Sequence, residues 1–154
     1  MALLRSPTLR QRLHALPACA VLALTILSPS SAYAAENRDR SVIGNWRLTA
    51  ALDNSEITAF DKREAERLVG KVMMISQQSV QFGTRECLPP DLDAERVEPR
   101  LYLREQAHAS ASKLGLPNPV TVVNLGCTIA FVKNKNHLVI HWDGWFFDAT
   151  RIKR

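Results

Sequence analysis

From about residue 43 onward the chain alternates apolar and polar positions, and the period of that alternation assigns most of its elements. Ile43-Gly44-Asn45-Trp46-Arg47-Leu48-Thr49 repeats every two residues, with Trp46 and Leu48 on one face and Arg47 and Thr49 on the other, which predicts a first strand. The pattern then turns helical. In Asp61 to Val69, Asp61 suits the N-cap, Glu64 stands three residues on as in a capping box, and Gly70 suits the left-handed position past the C-terminus. Lys71 to Ser76 and Ser79 to Phe82 are β-prone runs around Gln77-Gln78, which predicts a hairpin on a poor turn pair. Pro89, Pro90 and Pro99 mark Cys87 to Arg100 as loop. Leu103, Ala107, Ser110 or Ala111, and Leu114 form a stripe that predicts a second helix over Leu101 to Leu114, ended by Gly115. Val120 to Val132 reads as one long strand bent at Gly126. After a turn at Asn134-Lys135-Asn136, the strands His137 to Trp142 and Trp145 to Ile152 are joined by Asp143-Gly144, a strong hairpin signal. Five to seven strands with one or two inserted helices predict a mainly β domain, a small antiparallel β-barrel or strongly curved sheet.

The first 34 residues follow neither period. They carry Arg5, Arg10 and Arg12 and no acid, then an apolar run from Ala18 to Leu27, a break at Pro29-Ser30-Ser31, and Ala32-Tyr33-Ala34. That order predicts a secretory signal peptide cut near Ala34, too short in its apolar part to span a bilayer. A mitochondrial transit peptide shares the basic, acid-free character but not the uninterrupted apolar run. Cys19 precedes most of that run, whereas a lipidated cysteine follows it. The expected product is a periplasmic or secreted single domain, residues 35–154, with no stable membrane insertion.

Export changes the charge and the cysteine count. Three of the 20 basic residues and none of the 15 acidic ones lie before Ala34, which leaves 17 against 15, a net of +2. That balance offers no electrostatic case for nucleic acid. Cys87 and Cys127 remain, and in an oxidising compartment two cysteines predict one disulfide. No Cys-x-x-Cys or neighbouring histidine pattern points to redox or metal chemistry.

Gly44-Asn45-Trp46 on a first strand, with a late hairpin and a basic end, resembles the lipocalin-like (calycin) β-barrel. That resemblance implies that Trp46 closes one barrel end and that a basic side chain from a late strand, Arg151 here, packs over it. It also implies a small apolar ligand. The two predicted helices and the low strand count depart from that pattern. The layout further resembles small secreted bacterial proteins with Gly-x-Trp, Gly-Lys before a strand and a terminal Trp-Asp-Gly-x-Phe-Phe, here Gly70-Lys71 and Trp142 to Phe147. This second resemblance implies no activity.

Candidate chemistry concentrates in His137 to Asp148. His137 and His141 share a strand face with Val139, opposite Leu138, Ile140 and Trp142. Four residues of strand separate the two histidines by roughly 13 Å at about 3.3 Å per residue, too far for one zinc, so solvated histidines are expected. Glu105 and His108, at i and i+3 on the second helix, could meet as an acid–base pair, although a surface ion pair is the commoner outcome. No serine stands in a nucleophile elbow and no glycine-rich phosphate loop occurs, so the sequence supports neither an enzyme nor a cofactor. Trp142, Trp145, Phe146 and Phe147 are core candidates that could also line a mouth or a partner surface, because consecutive strand residues cannot all face one side. Two functions follow as expectations. One is a binding or interaction module for a small apolar ligand or a secreted protein. The other is an inhibitor of a lysozyme or protease that recognises its target through Leu88 to Arg100.

Overall fold

The structure is a computed structural model that describes residues 38–153; the leader and its cleavage position near Ala34 lie outside the described residues. Nine strands form one antiparallel sheet curled into a half-barrel. They are β1 (Gly44–Asn54), β2 (Val72–Ile75), β3 (Val80–Phe82), β4 (Arg85–Cys87), β5 (Ala94–Val97), β6 (Val120–Asn124), β7 (Ile129–Asn134), β8 (His137–Trp142) and β9 (Trp145–Arg151). Their spatial order is β4-β3-β2-β1-β9-β8-β7-β6-β5. Two meanders, β1 to β4 and β5 to β9, are thus sewn together where the first strand meets the last, with Trp46 opposite Arg151 and Asn54 opposite Trp145. The register of β1 against β9 slips twice, between Leu48 and Ala50 and between Ala51 and Asp53. Such bulges bend a strand and raise its twist, and here they sit in the long central strand.

The curl gives the sheet two apolar faces. The inner face collects Trp46, Leu48, Met73, Ile75, Phe82, Leu138, Ile140, Trp142, Trp145 and Phe147. The outer face of the β5–β9 half carries Val122, Phe131, Val139 and Phe146, covered by Leu103, Ala107 and Leu114. Leu103 lies on α2 (Pro99–Gln106), and the other two lie in the segment that follows it. Each fully buried Leu or Phe contributes about 1.5–3 kcal/mol, so both faces matter to stability. Strand period two explains the division of β8: Leu138, Ile140 and Trp142 face inward, as expected, and Val139 outward.

Local signals explain the helices. In α1 (Lys62–Glu66) both arms of the capping box form: Glu64 N–H donates to Asp61 Oδ1 at 2.9 Å, and Asp61 N–H donates to Glu64 Oε2 at 3.0 Å. The second helix starts two residues earlier than expected, because Pro99 occupies its first turn and the Glu98 carboxylate accepts from Arg100 N–H and Leu101 N–H. It also ends eight residues early. The Leu103 carbonyl accepts from both Ala107 N–H and Ala109 N–H, and His108 turns to φ 45°. The Ser110 and Ser112 hydroxyls then bond each other at 2.9 Å, serving a turn where a helix was expected.

Two further expectations are corrected. Val120 to Val132 is not one bent strand but the hairpin β6–β7; Gly126, at φ 81°, lies in its turn, and Leu125 N–H donates to the Thr128 carbonyl at 2.8 Å. Cys87 to Arg100 is not all loop, since Ala94–Val97 pairs with Val120–Val123 as β5. Asp143 and Gly144, at φ 51° and 86°, make the expected two-residue turn. No helix among the described residues is long and apolar enough to cross a membrane.

Candidate functional site

Strand register gathers the turns at one end of the half-barrel. Asn54 and Trp142 both stand opposite Trp145, while His141 and Asn124 both stand opposite Ile129. That end therefore carries the β8–β9 turn, the β6–β7 turn and segment 55–60, which follows β1. Cys87 joins Cys127 in a disulfide with a Cα–Cα separation of 6.1 Å, which brings the start of loop 88–93 to the β6–β7 turn.

Backbone hydrogen bonds fix both segments. Ser55 N–H donates to Gly144 O at 2.8 Å, Ala59 N–H to Asp143 O at 3.0 Å, and the Trp145 indole N–H to Phe60 O at 3.0 Å. In the second segment, Leu92 N–H donates to Asn124 O at 2.9 Å, Asn124 N–H to Asp93 O at 2.8 Å, and Asp39 N–H to Leu92 O at 2.9 Å. Pro90 and Leu92 are buried. Each segment nevertheless holds one large apolar side chain out in solvent: Ile57 is 86 % exposed and Leu88 84 %. Among the described residues the other exposed large apolar side chains lie between 37 % and 45 %, so these two stand apart.

Beneath the rim lie the aromatics. Trp142 meets Phe82 edge-on, with centroids 5.2 Å apart. The Arg85 guanidinium sits 4.6 Å above the Trp142 ring and makes a two-pronged ion pair with the Asp143 carboxylate. That hydrogen bond raises the Arg85 pKa further above its already high ordinary value. An open hollow of about 370 Å³ runs between α1 and the β3–β4 turn, lined by Phe60, Leu68, Lys71, Phe82, Arg85 and Trp142. Of the four proposed contact aromatics, Trp142 lines this hollow and Trp145 anchors segment 55–60 through Phe60; they are 4 % and 7 % exposed. Phe146 and Phe147 are 0 % exposed, one on each face of the sheet. A sheet covered on both sides lets consecutive aromatics all be core, and Phe146 and Phe147 take that alternative.

The histidines divide. His137 is half-buried. His141 is not the solvated side chain expected: it stacks on Phe146 with centroids 4.5 Å apart, and its Nε2 lies 3.2 Å from Ser55 Oγ. Burial pushes its pKa below 6.5, with Asp143 pulling weakly the other way. The Asp143 carboxylate is bound to Arg85 rather than to this ring, so the Ser55–His141 contact pins segment 55–60 to β8 and does not extend into a catalytic triad. Glu105 and His108 do not share a helix, since α2 ends at Gln106; Glu105 pairs with Arg104 at 3.9 Å. Among the described residues no group of three His, Cys, Asp or Glu side chains could hold a metal.

The opposite end is built around Trp46. Its indole N–H donates to Val42 O at 2.7 Å, and the Arg151 guanidinium lies 4.1 Å above its ring. Arg151 also donates to the carbonyls of Lys135 at 2.9 Å, Ile43 at 2.8 Å and Ser41. One fork thus ties together β9, the β7–β8 turn and the chain entering β1.

Comparison with protein-family models, with curated proteins and with solved structures finds no match. Any functional reading therefore stands on the geometry above. Sequence reasoning missed Ile57, which no pattern marks, and Arg85, for which its place two residues before Cys87 was the only cue.

Proposed function

We propose that this chain is an exported interaction module on a lipocalin-like scaffold, and that it engages a protein partner through the exposed side chains of Ile57 and Leu88. One observation carries the reading: among the described residues the two most exposed large apolar side chains, Ile57 and Leu88, both stand on segments whose backbone is held by hydrogen bonds or by the disulfide. Side chains carried on a backbone held in place before binding cost less ordering on docking, and apolar anchors in such positions are where binding energy concentrates. The small-ligand version has less support, because the inner face is occupied by Trp46, Met73, Phe82, Trp142, Trp145 and Phe147, all buried. The Trp46–Arg151 stack is what most favours the lipocalin-like comparison. Export is favoured by the basic-then-apolar leader and by the disulfide.

A second reading, an inhibitor of a hydrolase, is favoured by Leu88 itself, an exposed apolar residue placed directly between a disulfide and Pro89. Both are tested on the mature protein. Tryptophan fluorescence is titrated with fatty acids, haem and hydrophobic dyes, and activity is followed for a panel of lysozymes and proteases. We expect no saturable fluorescence change and slowing of at least one hydrolase, weakened by Ile57→Asp together with Leu88→Asp. A saturable fluorescence response with no slowed hydrolase would overturn the protein-partner reading in favour of a small ligand.

A further inference from the structure

We propose that Leu88 enters the primary specificity pocket of an endopeptidase that accepts large apolar side chains, and that the Leu88–Pro89 bond lies across its active site as a bond it cannot cut. This rests on the inhibitor reading above and names its partner and contact residue.

Three observations converge on one short segment. The first is exposure: Leu88 is 84 % exposed while Cys87 is partly buried and Pro90 buried on either side, so the side chain projects from a backbone fixed at both ends. The second is conformation. The chain bends at Leu88 as it leaves β4, which turns the side chain outward, and the proline that follows keeps the residue out of the helical region. The third is the strand leading into it. Arg85–Cys87 is β4, the edge of the sheet, and pairs with β3 alone. Its outer backbone groups can therefore pair with an extended groove, as in strand addition, and carry Leu88 into the pocket that follows.

Pro89 decides the outcome. Peptide cleavage expels the amine on the far side of the scissile bond, and that amine must accept a proton as it leaves. Proline's nitrogen could take that proton, but its ring occupies the space from which the catalytic acid must deliver it, so the amine is not released. The disulfide adds a second obstacle, since Cys87 stays joined to Cys127 whatever happens beyond it. The segment offers a peptidase an apolar anchor without a bond it can cut.

The experiment uses the mature chain against three endopeptidases, with pockets for large apolar, basic and small side chains. We expect the first to be slowed and the other two not, with mass spectrometry showing an intact Leu88–Pro89 bond. Leu88→Asp should weaken that inhibition at least about thirtyfold, as removal of a central anchor does. Leu88→Lys should move it to the enzyme with the basic-specific pocket, and Pro89→Ala should convert the segment into a substrate cut after residue 88. Unchanged thermal midpoints for the Leu88 variants would show that the fold is retained. The proposal is overturned if no large-apolar enzyme is slowed, or if Leu88→Asp inhibits as well as the parent. Should Ile57→Asp alone abolish a hydrolase interaction that Leu88→Asp leaves intact, this inference falls while the interaction-module reading stands. Should neither substitution change any interaction, both fall.

Discussion

Arg151 offers the sharpest test of how the end around Trp46 is held. Its guanidinium covers Trp46 at 4.1 Å and donates to three backbone carbonyls. A cation over an indole contributes about 1 kcal/mol when partly desolvated. A hydrogen bond from a charged donor contributes about 1.5–3 kcal/mol, but Arg151 is only half-buried, and water can reach the carbonyls once the side chain is gone, so about 0.7 kcal/mol each is the appropriate scale. Arg151→Ala should therefore cost about 3 kcal/mol. Arg151→Lys keeps the charge but not the planar fork, so it can satisfy one carbonyl at a time and should cost about 2 kcal/mol. With a urea slope of about 1.5 kcal/mol per molar, the alanine variant's midpoint should fall by roughly 2 M. Urea titration followed by tryptophan fluorescence measures both. A lysine variant within about 0.5 kcal/mol of the parent would show that charge alone suffices. An alanine cost below about 1 kcal/mol would show that Trp46 and its hydrogen bond to Val42 O hold this end unaided.

Other outcomes follow from single features. The disulfide closes a loop of 40 residues, so Cys87→Ser should cost about 4 kcal/mol in the chain-entropy model, and the unreduced mature protein, which lacks Cys19, should show no reactive thiol on unfolding. Gly144 has φ 86°, and an added Cβ would lie 2.4 Å from Ile57 O and 2.8 Å from Thr58 Cα; Gly83 has φ 62° with nothing within 4 Å. Gly83→Ala should thus cost about 1 kcal/mol and Gly144→Ala about 3 kcal/mol, because only the second must displace segment 55–60; equal losses in chemical denaturation would refute that contact. The folded-state pKa of His141 lies below its ordinary 6.5, so its contribution is complete above about pH 6.5 and is lost as pH falls through the lower folded value. Melting curves between pH 5 and 7.5 should flatten in His141→Gln, and an unchanged slope would mean other groups set the acid response.

The elements legible in the sequence were those whose signals are local. The capping box of α1 and the Asp143-Gly144 turn each specify their geometry within four residues, and the alternation in β1 and β8 assigned inner and outer faces correctly. What escaped was set by distant partners. Ala94–Val97 is a strand only because Val120–Val123 lies beside it, and it carries two charges that no buried-strand pattern would include. His141 looked like a solvent-facing alternate position until segment 55–60, brought over by Gly144, covered it. Trp46 and Arg151 were paired through a family resemblance; their spacing in the chain gave no hint. Ile57 and Leu88 were legible only as apolar residues, since exposure depends on what fails to pack against them.

The seam between β1 and β9 sets an order of events. Trp46 faces Arg151 across about a hundred residues of intervening chain, and this pairing lies at the centre of the sheet, between two meanders that are otherwise sequential. A chain made from its N-terminus can complete β2 to β4 and then β5 to β8 as neighbours, yet β1 cannot gain its second flank until the last strand has been released. Contacts of such long separation slow folding. The finished state therefore arrives late and all at once, and removing β9 should leave two hairpin arrays tethered by the disulfide but no longer one sheet, rather than a smaller version of the domain.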